Sequence, residues 1–129
     1  MRDARQPEGV FVPKPPYSPV VVAGDLVFTA GQVAMDTSGQ IVAGDIVEQT
    51  RQAMRNLAAC LAAAGCSMDD IVKTTVFLTD LANFEACNEE YARHLNAPYP
   101  ARSTVQVGLA PGLLVEIEAV ARRPDRERA

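Results

Sequence analysis

The stretch Pro100, Ala101, Arg102, Ser103, Thr104, Val105, Gln106, Val107, followed after a Gly/Pro turn by Val115, Glu116, Ile117, Glu118, decides how this chain is read. Both segments alternate as half-buried strands do. Arg102, Thr104 and Gln106 share one face, with Ser103, Val105 and Val107 on the other. In the second strand Glu116 and Glu118 point to one side, and Val115, Ile117 and Ala119 to the opposite side. The 108–112 segment between them is rich in glycine and proline and poor at continuing a strand, so an antiparallel hairpin is the simplest expectation. Such a hairpin would bring Arg102 and a strand-borne glutamate to one cleft. Two uses of that pair stay open at this point. Arginine offers a planar donor fork for a carboxylate, and glutamate can accept a proton or hold a water. The plainer use is a cross-strand ion pair, worth a few tenths up to ~1 kcal/mol when exposed.

Working outward, Val20, Val21, Val22 and Leu26, Val27, Phe28 read as a hairpin with Gly24 and Asp25 at its tip. The second strand is expected to run on through Thr29 and Ala30 to Gly31 and Gln32. Turn residues at 36–39 and a short extended piece around Ile41 and Val42 then lead to a helix beginning near Asp45. Val47, Met54, Leu57 and Leu61, with Thr50 and Ala58 between them, give that helix an apolar face, and Gly65 marks its end. Ser67 with Asp70 three residues on has the form of a capping box. The β-branched run from Val72 to Leu78 reads as a strand. Phe84, Cys87 or Asn88, Tyr91 and Leu95 follow helical spacing on a second helix that must end before Pro98.

The resulting order is strand, strand, helix, strand, helix, strand, strand, an α+β layer with two helices on one face of a mixed sheet. The other face is left for solvent or a partner, which points to an oligomer. The 129 residues, 48% hydrophobic, fit a single domain, with residues 1–9 and 122–129 read as flexible tails. A net charge of -4 argues against a nucleic-acid or anionic-membrane partner. The polar N-terminus carries no secretory signal, so a cytoplasmic location is expected. Cys60, Cys66 and Cys87 lack metal-ligand spacing and read as reduced, small hydrophobes. His94, near the end of the second helix, meets the helix dipole favourably and is not a catalytic candidate.

Six segments in order then carry a resemblance: Pro16, Tyr17, Ser18; Thr29, Ala30, Gly31, Gln32; Asp70 through Phe77; Asn88, Glu89, Glu90, Tyr91; Pro100 through Val105; and Val115 through Ala119. Over these segments the chain resembles the Rid proteins, the reactive-intermediate imine deaminases also called the RidA/YjgF family. The resemblance implies a chorismate-mutase-like fold, a homotrimer with its sheets around a central barrel, and ligand clefts between subunits. It further implies hydrolysis of 2-imino acids such as 2-iminobutanoate and 2-iminopropanoate to 2-oxo acids and ammonia, with no metal or organic cofactor. Arg102 then corresponds to the arginine that clamps the substrate carboxylate, with the Thr104 backbone beside it. Glu116 corresponds to the residue that holds the attacking water, Gly31 to the cleft floor, and Tyr17 and Asn88 to its walls. Alternatives within this reading are a pathway-specific aminoacrylate or aminomuconate deaminase, and a non-catalytic trimer that senses small carboxylates. The chain departs from common members at Pro19, at Ala30 where some have serine, at Thr104 where some have cysteine, and in the 108–112 turn, which lacks a lysine.

Overall fold

The alternation in the two valine-rich runs forms a tight antiparallel hairpin in the computed structural model, which describes residues 2–124. Strands β2 (Val20–Ala23) and β3 (Leu26–Thr29) pair Ala23 with Leu26, leaving Gly24 and Asp25 as a two-residue loop. Gly24 has φ 64°, the left-handed conformation such a loop requires. Ahead of them, β1 (Asp3–Arg5) pairs antiparallel with β2, so residues 3–5 of the expected N-terminal tail are sheet. Arg5 adds a tertiary tie, since its Nη1 donates to the Ala63 carbonyl at the end of the first helix at 3.0 Å. Met1 and residues 125–129, within the expected tails, lie outside the described residues.

The first helix, α1 (Ile46–Ala63), starts where Asp45 caps it by accepting from the Glu48 amide at 3.0 Å. It stops at Gly65, φ 76°, where Gly65 N–H donates to Ala62 and Cys66 N–H to Leu61, which satisfies carbonyls the helix leaves over. Met54, Leu57 and Leu61 are fully buried on its inner face, each contributing roughly 1.5–3 kcal/mol by leaving water. Val47 and Ala58, expected on that face, lie at its half-buried margin, and Ile46, Ala53 and Cys60 complete the stripe. The capping box of Ser67 and Asp70 opens one 3₁₀ turn before β5 (Ile71–Leu78). The second helix, α2 (Phe84–Arg93), leads through a cis Ala97–Pro98 peptide to β6 (Ala101–Gln106), and β7 (Val115–Arg122) closes the chain.

Two strand expectations are corrected. The run from Leu26 breaks after Thr29 and resumes as a separate short strand, β4 (Gln32–Val33). Both parts pair with β7, but from Phe28↔Val120 to Gln32↔Ile117 the chain takes four steps against three on β7, so Ala30 and Gly31 form a bulge. Thr29 Oγ1 accepts the Ala119 amide at 3.0 Å there, and Pro19 O accepts the Ala30 amide at 2.8 Å.

The second correction concerns β6 and β7, which do not form a hairpin. The sheet order is β1-β2-β3-β7-β5-β6, so β5 lies between them. β5 and β6 are parallel, joined through α2 as a βαβ unit, and β7 inserts antiparallel between β5 and β3. The β6–β7 connection is steered back by α1. Gln49, 2% exposed, donates from Nε2 to Gly112 O and accepts from Leu114 N at Oε1, both at 2.8 Å. A fully buried amide satisfied at both ends fixes where the loop turns.

Both helices pack on one face, against Val20, Val22, Val27, Val76, Leu78, Val115 and Ile117. The opposite face carries Phe28, Thr75, Phe77, Ser103, Val105, Glu116 and Glu118, a mixture of apolar and polar side chains with no layer over it among the described residues. Among the described residues no helix is long and apolar enough to cross a membrane.

Candidate active site

Register alone decides where Arg102 points. It pairs with Thr74 of β5, which pairs in turn with Ala119 of β7, and all three belong to the helix-covered face. The guanidinium therefore meets α2. Its Nη2 donates to Asn88 Oδ1 at 2.6 Å, and its Cζ lies 4.9 Å from the Tyr91 ring centroid and 5.6 Å from that of Phe84. Phe84, Asn88 and Tyr91 stand at i, i+4 and i+7 on one helical face, which is why a single strand residue touches all three. Among the described residues no carboxylate pairs with Arg102. Its neighbours are an amide and two rings, so its charge is held without being neutralised. An open cavity of ≈ 300 Å³ adjoins it, lined by Asn88, Tyr91, Ala92, Tyr99, Pro100 and Arg102. Thr104, opposite Val76, is half-buried on the same face two residues along β6.

Glu116 sits on the other side of the sheet. It pairs with Phe77 of β5 and Val33 of β4, an odd number of residues from the Thr74 level, so its side chain leaves the uncovered face. With β5 between β6 and β7, the Arg102 and Glu116 Cα atoms are roughly 14 Å apart by strand spacing and rise. Neither a cross-strand ion pair nor a shared cleft forms within one chain, which corrects both readings of the pair. The bulge presents Gly31 directly to Glu116, and a Cβ at position 31 would overlap the carboxyl group. A larger residue there would push the Glu116 carboxyl out of its present position. Burial pushes the Glu116 carboxyl above its ordinary pKa, and the like charge of Glu118 on the same strand face adds to this. Tyr17, 55% exposed, lines a small cleft with Gly31, Pro19 and Asn56 of α1.

The six residues singled out from sequence thus fall into two groups. Arg102, Asn88 and Thr104 are brought together on the covered face at the edge strand. Gly31 and Glu116 are brought together by the bulge, and Tyr17 shares a cleft with Gly31.

Residues that sequence reasoning left out of the site are Tyr91, Phe84 and Thr74. Tyr91 hydroxyl and Thr74 Oγ1 are 2.7 Å apart in the core, which places the ring beside Arg102. The helical spacing of Phe84, Asn88 and Tyr91 was the available signal. A second omission is Glu90, only 3% exposed, which binds Arg51 of α1 at 3.2 Å, Arg93 at 3.3 Å and His94 Nε2 at 2.7 Å. Burial alone would raise its pKa, but hydrogen bonds from Arg51 and His94 win and hold the carboxyl low. His94, the capping residue of α2, is thereby engaged within its own helix, while Arg51 carries the tie to α1. Among the described residues no three His, Cys, Asp or Glu side chains gather as ligands for a metal ion.

A single mixed sheet backed by two helices, with a cavity of small-molecule size at the sheet edge, is the class of protein these observations define. Residues 10–123 match the family model described as Endoribonuclease L-PSP, and the chain belongs to that family, also called YjgF/RutC/RidA. It is 47% identical over 113 residues to a RutC family protein of Pyrococcus horikoshii, covering 84% of this chain and 90% of the relative. It is 43% identical over 108 residues to human 2-iminobutanoate/2-iminopropanoate deaminase, covering 82% of this chain and 79% of that protein. The crystal structure of TdcF from E. coli with bound serine superposes with a TM-score of 0.78 at 41% identity, covering 90% of this chain and 92% of that one. These similarities support an imine deaminase activity of the Rid type.

Proposed function

We propose that this protein hydrolyses 2-imino acids, 2-iminobutanoate and 2-iminopropanoate among them, to 2-oxo acids and ammonia. The observation that carries the proposal is the complementary pair of half-sites. Among the described residues, one face offers an arginine that no carboxylate neutralises, and the other offers a carboxylate of raised pKa that no cation engages. A copy that sets its β6 edge against the uncovered face of the next can bring the first half of one to the second half of the other, as in the trimer with intersubunit clefts that the family resemblance implies. The E. coli relative's bound serine is itself a small α-amino carboxylate, the kind of group an arginine fork holds.

The chemistry asks little of the protein. A protonated imine is already electrophilic at its carbon, so the main tasks are to fix the substrate, place a water and move protons. Arg102 N–H groups hold the carboxylate, with the Thr104 backbone beside it. Glu116 accepts a proton from water as the oxygen adds to the imine carbon, giving a tetrahedral carbinolamine. The same carboxyl, now protonated, returns the proton to nitrogen and, as a carboxylate again, takes the hydroxyl proton while the C–N bond breaks and the C=O forms, releasing ammonia and the 2-oxo acid. A carboxyl held above its ordinary pKa suits both steps. Tyr17, Gly31 and Asn88 shape the walls and floor. No cofactor takes part in this sequence, and a cytoplasmic setting, where dehydratases generate such imines, fits it.

Purified protein added to a threonine-dehydratase assay containing semicarbazide should divert imine from the trap and speed formation of 2-oxobutanoate. No change in trapped imine at micromolar protein would refute the deaminase. Faster turnover of an aminoacrylate or aminomuconate would redirect the substrate. Binding of 2-oxobutanoate without any turnover would favour the carboxylate-sensing trimer.

A further inference from the structure

We infer that Tyr91 is the positioning residue for Arg102, holding the guanidinium by its ring face while its own hydroxyl is locked to Thr74. The inference rests on the reading of Arg102 as carboxylate anchor. Its geometry runs across three elements. β6 brings Arg102 beside Thr74 through the parallel register, and α2 drops Tyr91 onto that pair. The Tyr91 hydroxyl meets Thr74 Oγ1 at 2.7 Å where both residues are buried, Thr74 completely and Tyr91 to 5% exposure. The ring cannot turn without stranding two polar groups in the core. Its centroid stands 4.9 Å from Arg102 Cζ, within cation–π range.

This arrangement answers a problem every anion site on a strand faces. An arginine side chain has large rotamer freedom, and ordering it on binding costs affinity. A carboxylate partner would order it but also occupy and neutralise it. A locked aromatic ring orders it and leaves its charge intact. Asn88 Oδ1 takes one of the guanidinium's five N–H donors, at 2.6 Å. Phe84, at 5.6 Å and 40% exposed, is the looser second wall.

The test separates this role from core packing. Phenylalanine and its 4-fluoro, 3,5-difluoro and 3,4,5-trifluoro analogues are placed at position 91 in a Thr74→Val background, so that no hydroxyl is left unpaired. Affinity for 2-oxobutanoate is read by calorimetry and stability by thermal melting. Fluorine withdraws charge from the ring face in steps while the shape is nearly kept. The expected result is a graded weakening of about three- to tenfold across the series with melting temperatures that do not follow the same order. Tyr91→Leu, lacking the ring, should weaken binding at least as much as the trifluoro variant. A flat series, or affinity unchanged by Tyr91→Leu, overturns the inference, whatever happens to stability. Graded binding with no imine turnover would remove the deaminase and leave this assignment standing. Turnover with a flat series would do the reverse.

Discussion

The Arg102 region and the Glu116 region solve opposite problems on opposite faces of one sheet. Arg102 lies on edge strand β6 under α2, where rings and an amide keep a cation in place without cancelling it. Glu116 lies on β7, an inner strand, where a glycine bulge makes room for a half-buried carboxyl whose charge is disfavoured. A guanidinium tolerates apolar surroundings because it is weakly hydrated and always charged, whereas a carboxyl in the same situation shifts its pKa. The sheet itself keeps the two from neutralising each other. A cleft using both then needs a second copy of the chain.

The largest effect should come from Arg102→Ala, which on the proposed reading removes two charge-assisted hydrogen bonds to the substrate. A loss of about 10³-fold in kcat/KM is expected, with 2-oxobutanoate binding lost from calorimetry. Glu116→Gln should cost about 10² or more in kcat and leave 2-oxobutanoate affinity within about threefold. If both substitutions instead weaken binding equally, the two regions are not functionally distinct. Mixing the two inactive variants after mild dissociation makes the sharper test. Clefts assembled from different copies should regain about a quarter of wild-type activity by random pairing, while a site within one chain stays dead.

A smaller effect is expected at the back of the Arg102 region. Glu90→Gln removes a buried carboxylate that ties α2 to Arg51, although Arg51 and Arg93 are themselves partly exposed. With that exposure discounted, about 2 kcal/mol of stability should be lost in urea melts. Because the Glu90 carboxyl is held low, its contribution is present above its ordinary value of 4.5 and fades as pH falls through the lowered one. The wild-type advantage over Glu90→Gln should therefore shrink in acid. Glu116 should behave with the opposite sign and the least amplitude. Its raised pKa means the folded chain keeps a proton that the unfolded chain releases, so stability is lost as pH rises from 4.5 through the raised value. Glu116→Gln removes that loss, and its stability relative to wild type should increase across the same window.

Much of the fold was legible in the residues. The Gly24 and Asp25 hairpin, the Asp45 start and Gly65 stop of α1, the capping box at Ser67 and the helical face of Phe84, Asn88 and Tyr91 all formed as read. Each depends on neighbours a few residues away. The bulge at Ala30 and Gly31 was not legible, because it forms against β7, where the Thr29 hydroxyl takes an amide ninety residues later in the chain. Nor was the Glu90 cluster, whose main partner lies on the other helix.

By itself the sequence determined which side chains share a face of each strand and helix, since those periods are set by local backbone geometry. It thereby also separated Arg102, Thr104 and Gln106 from their neighbours, and Glu116 and Glu118 from theirs. Only the tertiary structure decided that β6 pairs with β5, that β7 slips between β5 and β3, and hence that Arg102 and Glu116 face apart. A hairpin and an insertion use strands of identical alternation. What chooses between them is the crossover through α2 and the grip of Gln49 on the returning loop, contacts that exist only once the helices have packed.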